Sequence, residues 1–151
     1  MALNIGSTDW QRQRIADAYD VARAIGTNFK FFVSYNSTEM LCDVNDIVSC
    51  AKVFSDHPNQ FKVNGKVFVS SYAGDCLGNA GWASLKAQTN AHIILLIWGL
   101  EGQFNSWSSL DSWYWCVVSL FGSALVLMKM LEAGVVRIHR ATRTRPYAAT
   151  D

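Results

Sequence analysis

Charge is scarce in this chain, and neither sign dominates. Of its 151 residues, 13 are Lys or Arg and 12 are Asp or Glu, a formal net charge of +1. Nothing global therefore draws it to nucleic acid or to an anionic membrane. The four cysteines, Cys42, Cys50, Cys76 and Cys116, form no CxxC pair, which argues against a zinc site or a thioredoxin-like motif. Cys42 and Cys76 each come shortly after an expected strand, on the same side of the expected sheet. Two readings stay open for them: a disulfide in a secreted protein, or two unpaired thiols. A leader is also missing. Asn4, Gly6, Ser7 and Asp9 follow Met1 with no basic segment and no long apolar run. The expectation is a protein kept inside the cell, or one whose true amino end lies upstream.

What is present is enough for one folded domain. Half of the residues are apolar and 17% are charged, which excludes disorder by composition, and the length allows a sizeable core. "MALNIG" reads as a strand. "STDWQRQRIADAYDVARAIG" reads as a helix, with Thr8 and Gln11 in capping-box spacing. Ile15, Tyr19 and Ala22 form its apolar stripe, and Gly26 is its stop. Phe29 to Tyr35 is the next strand. A second helix starts near Asp43, carries Ile47, Ala51 and Phe54 on one face, and ends by Pro58. Asn64-Gly65 predicts a hairpin between Phe61–Val63 and Lys66–Tyr72. "GWASLKAQTN" is a weaker helix, and "AHIILLIW" a continuous apolar strand. Alternating strands and helices, with strands apolar on both faces, predict βαβ units and a parallel sheet.

In such sheets, functional groups gather beyond the carboxyl ends of the strands. That level holds Asn4 and Gly6, then Ser34, Tyr35 and Asn36, then Ser70, Ser71, Tyr72 and Asp75, then Trp98. This rim is polar and aromatic without strong charge. Aromatic faces stack on sugar rings, while short hydroxyls and amides bond to sugar hydroxyls, so a carbohydrate suits it. Ser, Asn and Gly are also ordinary turn formers, and a plain strand-to-loop transition fits as well. Trp10 and Gln11 either face the pocket or pack the helix. His57 reads as structural, its charge near a helix end.

The motifs "ALNIG", "DWQ", "AY", "HPNQF", "NGK" followed by "FVS", and "AG" before an acidic residue occur in the order seen in family 71 glycoside hydrolases. The chain resembles these fungal α-1,3-glucanases, or mutanases, from Ala2 to Trp82. It does so more loosely at "EGQFNSW", Glu101 to Trp107. The resemblance implies a (β/α)8 barrel of the TIM type, here partial, with about four βα units and a small extra hairpin. It implies hydrolysis of α-1,3-glucan at the cell wall or outside the cell, with no cofactor and no metal. It also implies a strand before "ALNIG" and a later carboxylate motif resembling W-N-D-Y-G-E-S, which does not occur between Trp82 and Asp151. Where the family has S-F-D, this chain has Ser34-Tyr35-Asn36. Where it has Gly-Glu-Asp, the chain has Gly74-Asp75-Cys76. Hydrolysis needs two carboxyl groups. Asp75 is the best candidate for one, and Glu101 a weaker second. The substrate-binding set is Asn4, Trp10, Tyr35, Asn36, Ser71, Tyr72, Asp75 and Trp98. The alternatives are an inactive fragment that binds glucan weakly, and a small single-span membrane protein.

After Trp107 the character changes. Ser112 to Met128 carries no charge over 17 positions. Residues 1–128 hold eight basic and ten acidic side chains, whereas 129–151 hold five basic and two acidic. The apolar run reads as a buried helix, a membrane span or out-of-frame sequence. The basic tail has little aromatic interleaving, which speaks against nucleic acid. The expected division is a glycoside-hydrolase part, 1–107, and a divergent part, 108–151. Open parallel edges predict self-association and poor solubility.

Overall fold

The computed structural model describes residues 1–40, 42–96, 104–118, 124–132 and 135–138. Strand β1 (Ala2–Ile5) leads to helix α1 (Asp9–Ala24), β2 (Phe32–Asn36), α2 (Val44–Val53), and a hairpin of β3 (Lys62–Val63) and β4 (Lys66–Tyr72). A short 3-10 turn (Gly74–Leu77) runs into α3 (Gly78–Thr89) and β5 (His92–Leu96). Strands β6 (Ser112–Val118), β7 (Ala124–Glu132) and β8 (Val135–Ile138) follow. They form one sheet in the order β1-β2-β4-β5-β6-β7-β8, with β3 on β4. From β1 to β6 the pairs are parallel; β6-β7 and β7-β8 are antiparallel.

Local chemistry explains the element ends. Asp43 caps α2, its carboxylate accepting from the Asn45 amide at 2.8 Å. Asn64 and Gly65 both take left-handed φ, +50° and +78°, as a two-residue hairpin turn requires. Gly26 stops α1 at φ +65°, and the amides of Gly26 and Thr27 close on the last carbonyls of the helix. The expected capping box at Thr8 does not form: the Thr8 side chain makes no cap bond. Instead Gln11 Oε1 accepts from the Gly6 amide at 2.7 Å, fastening the end of β1 to the first turn of α1. Strand β2 starts later than Phe29, because the buried Asn59 amide donates to the carbonyls of Thr27 and Phe29 and bends that stretch away.

The three helices cover one face of the sheet. The main core joins Ile15, Tyr19, Ile47, Ala51, Trp82 and Leu85 to Ile5, Val33, Tyr35, Val69, Ile93 and Leu95, which are alternate residues of their strands. The other alternates, Phe32, Ser34, Asn36, Phe68, Ser70 and Tyr72, share the opposite face. Among the strands whose burial is described, β5 is buried on both faces along most of its length. At the amino ends, Asp111 ties β6 beside β5. Its carboxylate accepts from the Ile93 amide at 2.8 Å and from Lys86 Nζ at 2.9 Å, while its own amide donates to the Ile93 carbonyl.

The run Ser112 to Met128 is not a helix where it is described; β6 occupies its beginning and β7 its end. Among the described residues no helix is long and apolar enough to cross a membrane. The sheet thus continues past residue 108.

Candidate active site

The rim lies where β1, β2 and β4 end. Asn36 and Tyr72 are neighbours in register, and the Ser37 amide donates to the Tyr72 carbonyl at 3.0 Å. Tyr72 is 40% exposed and stands on the face that the helices leave bare. The Asn36 side chain accepts from Thr38 Oγ1 at 2.6 Å and from the Thr38 amide at 3.3 Å. This Asx turn directs the chain on to Glu39. Glu39 is exposed, and its Oε2 lies against Gly6: a Cβ there would collide with it, and would come within 2.9 Å of Gln11 Oε1. A glycine ends β1 because two side chains occupy the space above it.

On β4 the chain turns sharply. Ala73 takes a left-handed φ of +53°, and Gly74 passes under Trp82. The indole Nε1 donates to the Gly74 carbonyl at 2.7 Å. Asp75 follows, exposed, in the first turn of the 3-10 segment. Cys76 is disulfide-bonded to Cys42, with Cα atoms 6.1 Å apart, which resolves the two open readings of these thiols in favour of the bond. The bridge joins the loop after β2, which carries Glu39, to the loop after β4, which carries Asp75.

The rim therefore gathers Asn36, Tyr72 and Asp75 of the expected set. Tyr35 and Ser71 sit on the other side of their strands, under the helices, each 0% exposed. The Tyr35 hydroxyl donates to the Ile47 carbonyl at 3.4 Å, and burial pushes its phenol well up. Ser71 Oγ and Ser37 Oγ are 2.8 Å apart. Neither Tyr35 nor Ser71 has surface to offer a ligand. Asn4 and Trp10 share a separate groove of about 300 Å³ along the outer side of β1, and Gln11 is taken up by the Gly6 amide. Trp98 and Glu101 lie outside the described residues. His57 is not a charged helix cap: burial, then the charge of Arg23, lowers its pKa, and its Nδ1 accepts from the Asn59 amide at 3.1 Å.

Glu39 was not among the residues singled out from sequence. The available signal was Asn36-Ser37-Thr38, a run able to form an Asx turn just past a strand. Among the described residues no cluster of three His, Cys, Asp or Glu is placed to hold a metal. The rim is thus an open surface with an aromatic ring, an amide and two exposed carboxylates on tethered loops, chemistry that suits a polyhydroxylated ligand.

The chain is 43% identical over 89 residues to a glucan endo-1,3-alpha-glucosidase of Schizosaccharomyces pombe, an alignment covering 55% of this chain and 21% of that protein. It therefore spans about a fifth of the length of the curated relative it matches. No solved structure matches it. The model of glycosyl hydrolase family 71 matches residues 1–117, past the Trp107 at which the motif resemblance gives out. With most of its length inside that match, the chain belongs to glycosyl hydrolase family 71.

Proposed function

We propose that the rim is the substrate-binding part of a hydrolytic site for α-1,3-glucan, of the glucan endo-1,3-alpha-glucosidase type. The observation that carries this is the exposed Tyr72 beside Asn36, flanked by Glu39 and Asp75 on two disulfide-tied loops. The tyrosine ring takes the apolar face of a glucose unit, and the amide and carboxylates bond to its hydroxyls. Hydrolysis requires one carboxyl group to protonate the leaving oxygen and a second to act as nucleophile or base. Asp75 is our candidate for one of these roles and Glu39 for a supporting one. Family membership and the named activity of the S. pombe relative support the reading.

Under the same proposal the sheet is part of a (β/α)8 barrel. Among the described residues the helices lie on one face of its parallel strands, and the opposite face, which carries Tyr72, is the barrel interior. The test is retention on insoluble α-1,3-glucan compared with β-1,3-glucan. The chain is expected to be held by the first alone, and Tyr72→Ala to abolish retention while leaving the melting temperature within a few degrees. Equal retention on both, or none, contradicts the reading. Retention without any release of sugar supports instead a catalytically inactive glucan binder.

A further inference from the structure

Asparagine occurs nine times in the chain, and at one of these positions a Ser or Thr stands two residues on: Asn36-Ser37-Thr38. This is the acceptor pattern for N-glycosylation, whose middle residue is any but proline. Asn36 Oδ1 accepts from Thr38 Oγ1 at 2.6 Å and from the Thr38 amide at 3.3 Å. Both bonds fall on the oxygen, so the turn leaves the two Nδ2 hydrogens unengaged. No described residue accepts from Nδ2. Thr38 and Glu39 are exposed and Asn36 is half-buried. β2 is paired on both sides, with β1 and β4, so the triplet lies at a strand end within the sheet and not at a sheet edge. The turn closes between Asn36 and Thr38 alone and can form before the sheet does. The loop that begins there also carries Cys42, bonded to Cys76. Disulfides persist in oxidising compartments, including the lumen in which N-glycans are added.

We infer that Asn36 is an N-glycosylation site and that its glycan covers the rim. The donor is an oligosaccharide joined through a diphosphate to a lipid. Nδ2 attacks C1 of the first sugar and an N–C bond forms. The C1–O bond to the diphosphate breaks, the lipid diphosphate leaves, and Nδ2 gives up one proton. Asn36 and Tyr72 are neighbours in register and share one face of the sheet, so the first sugar sits beside the Tyr72 ring, where a glucan unit would lie. That blocking rests on the proposed glucan site; the modification itself does not.

The full chain, directed through the secretory pathway of a yeast by a fused leader, tests both parts. Its intact mass, from cell extract and medium, is expected to rise by one glycan and to lose it to peptide N-glycosidase. Asn36→Gln and Thr38→Ala are expected to abolish the gain, and Thr38→Ser, which keeps a hydroxyl, to retain it. An unmodified chain, or a glycan that persists in Thr38→Ala, overturns the site. The glycosylated chain is expected to lose the retention on α-1,3-glucan that the same chain shows when made in a host without the transferase. Equal retention of the two forms overturns the covering of the rim. A glycan with no retention of either form supports the site and contradicts the glucan reading; retention with no glycan does the reverse.

Discussion

Gly74 lies under the indole of Trp82, which is fully buried. A Cβ at position 74 would stand 2.8 Å from Trp82 Cζ2 and 3.0 Å from Ser71 Oγ. Neither can retreat, so Gly74→Ala is expected to lose about 1–3 kcal/mol in urea unfolding. At Gly6 the crowding atoms end flexible side chains, so Gly6→Ala should displace Glu39 and weaken glucan retention with a smaller loss of stability. Two groups make stability fall with acid. The fold lowers His57 through burial and the Arg23 charge; the unfolded chain takes up that proton first, so stability drops as pH falls below about 6.5. Burial by itself would raise Asp111, but the Ile93 amide and Lys86 outweigh it and hold its carboxyl low. Its contribution is full above the unfolded value of about 3.9 and is lost as pH falls through the lower folded value. Asp111→Asn should remove that second acid step and leave the first, read by unfolding at a series of pH values. Which side of a strand a rim residue faces was legible in principle, since Val33 and Val69 set the buried parity that Tyr35 and Ser71 share. Position at a strand end alone did not carry that information.

At the level of elements, the disulfide closes a loop of 34 residues between Cys42 and Cys76. Loop entropy assigns it about 3–4 kcal/mol. Cys42→Ser with Cys76→Ser should lower the melting temperature, and reductant should then have no further effect. In the hairpin, Gly65→Ala should cost about 1 kcal/mol, because φ is +78° there. The elements from α1 to β5 were legible because each has its own punctuation: Gly26, Asp43, Pro58 and Asn64-Gly65. The segment from Ser112 was not, because a long run without charge matches a helix as readily as strands. Its better clue was the aromatic and β-branched residues of Ser112–Val118. Glu39 was missed because a loop residue's place depends on the turn before it, here the Asx turn of Asn36.

Across the whole molecule, one face of the sheet is closed by three helices and the other carries the rim. This division places Asn36 and Tyr72 side by side at the strand ends, with Glu39 and Asp75 on adjoining loops. We propose that this rim acts on α-1,3-glucan. The most direct measurement is release of reducing sugar from α-1,3-glucan by the full chain beside its Asp75→Asn variant, with the α-1,4-linked polymer as control. Release is expected from the α-1,3-linked polymer alone, falling at least about a hundredfold in Asp75→Asn. Equal release by the variant, or release from both polymers alike, would contradict it.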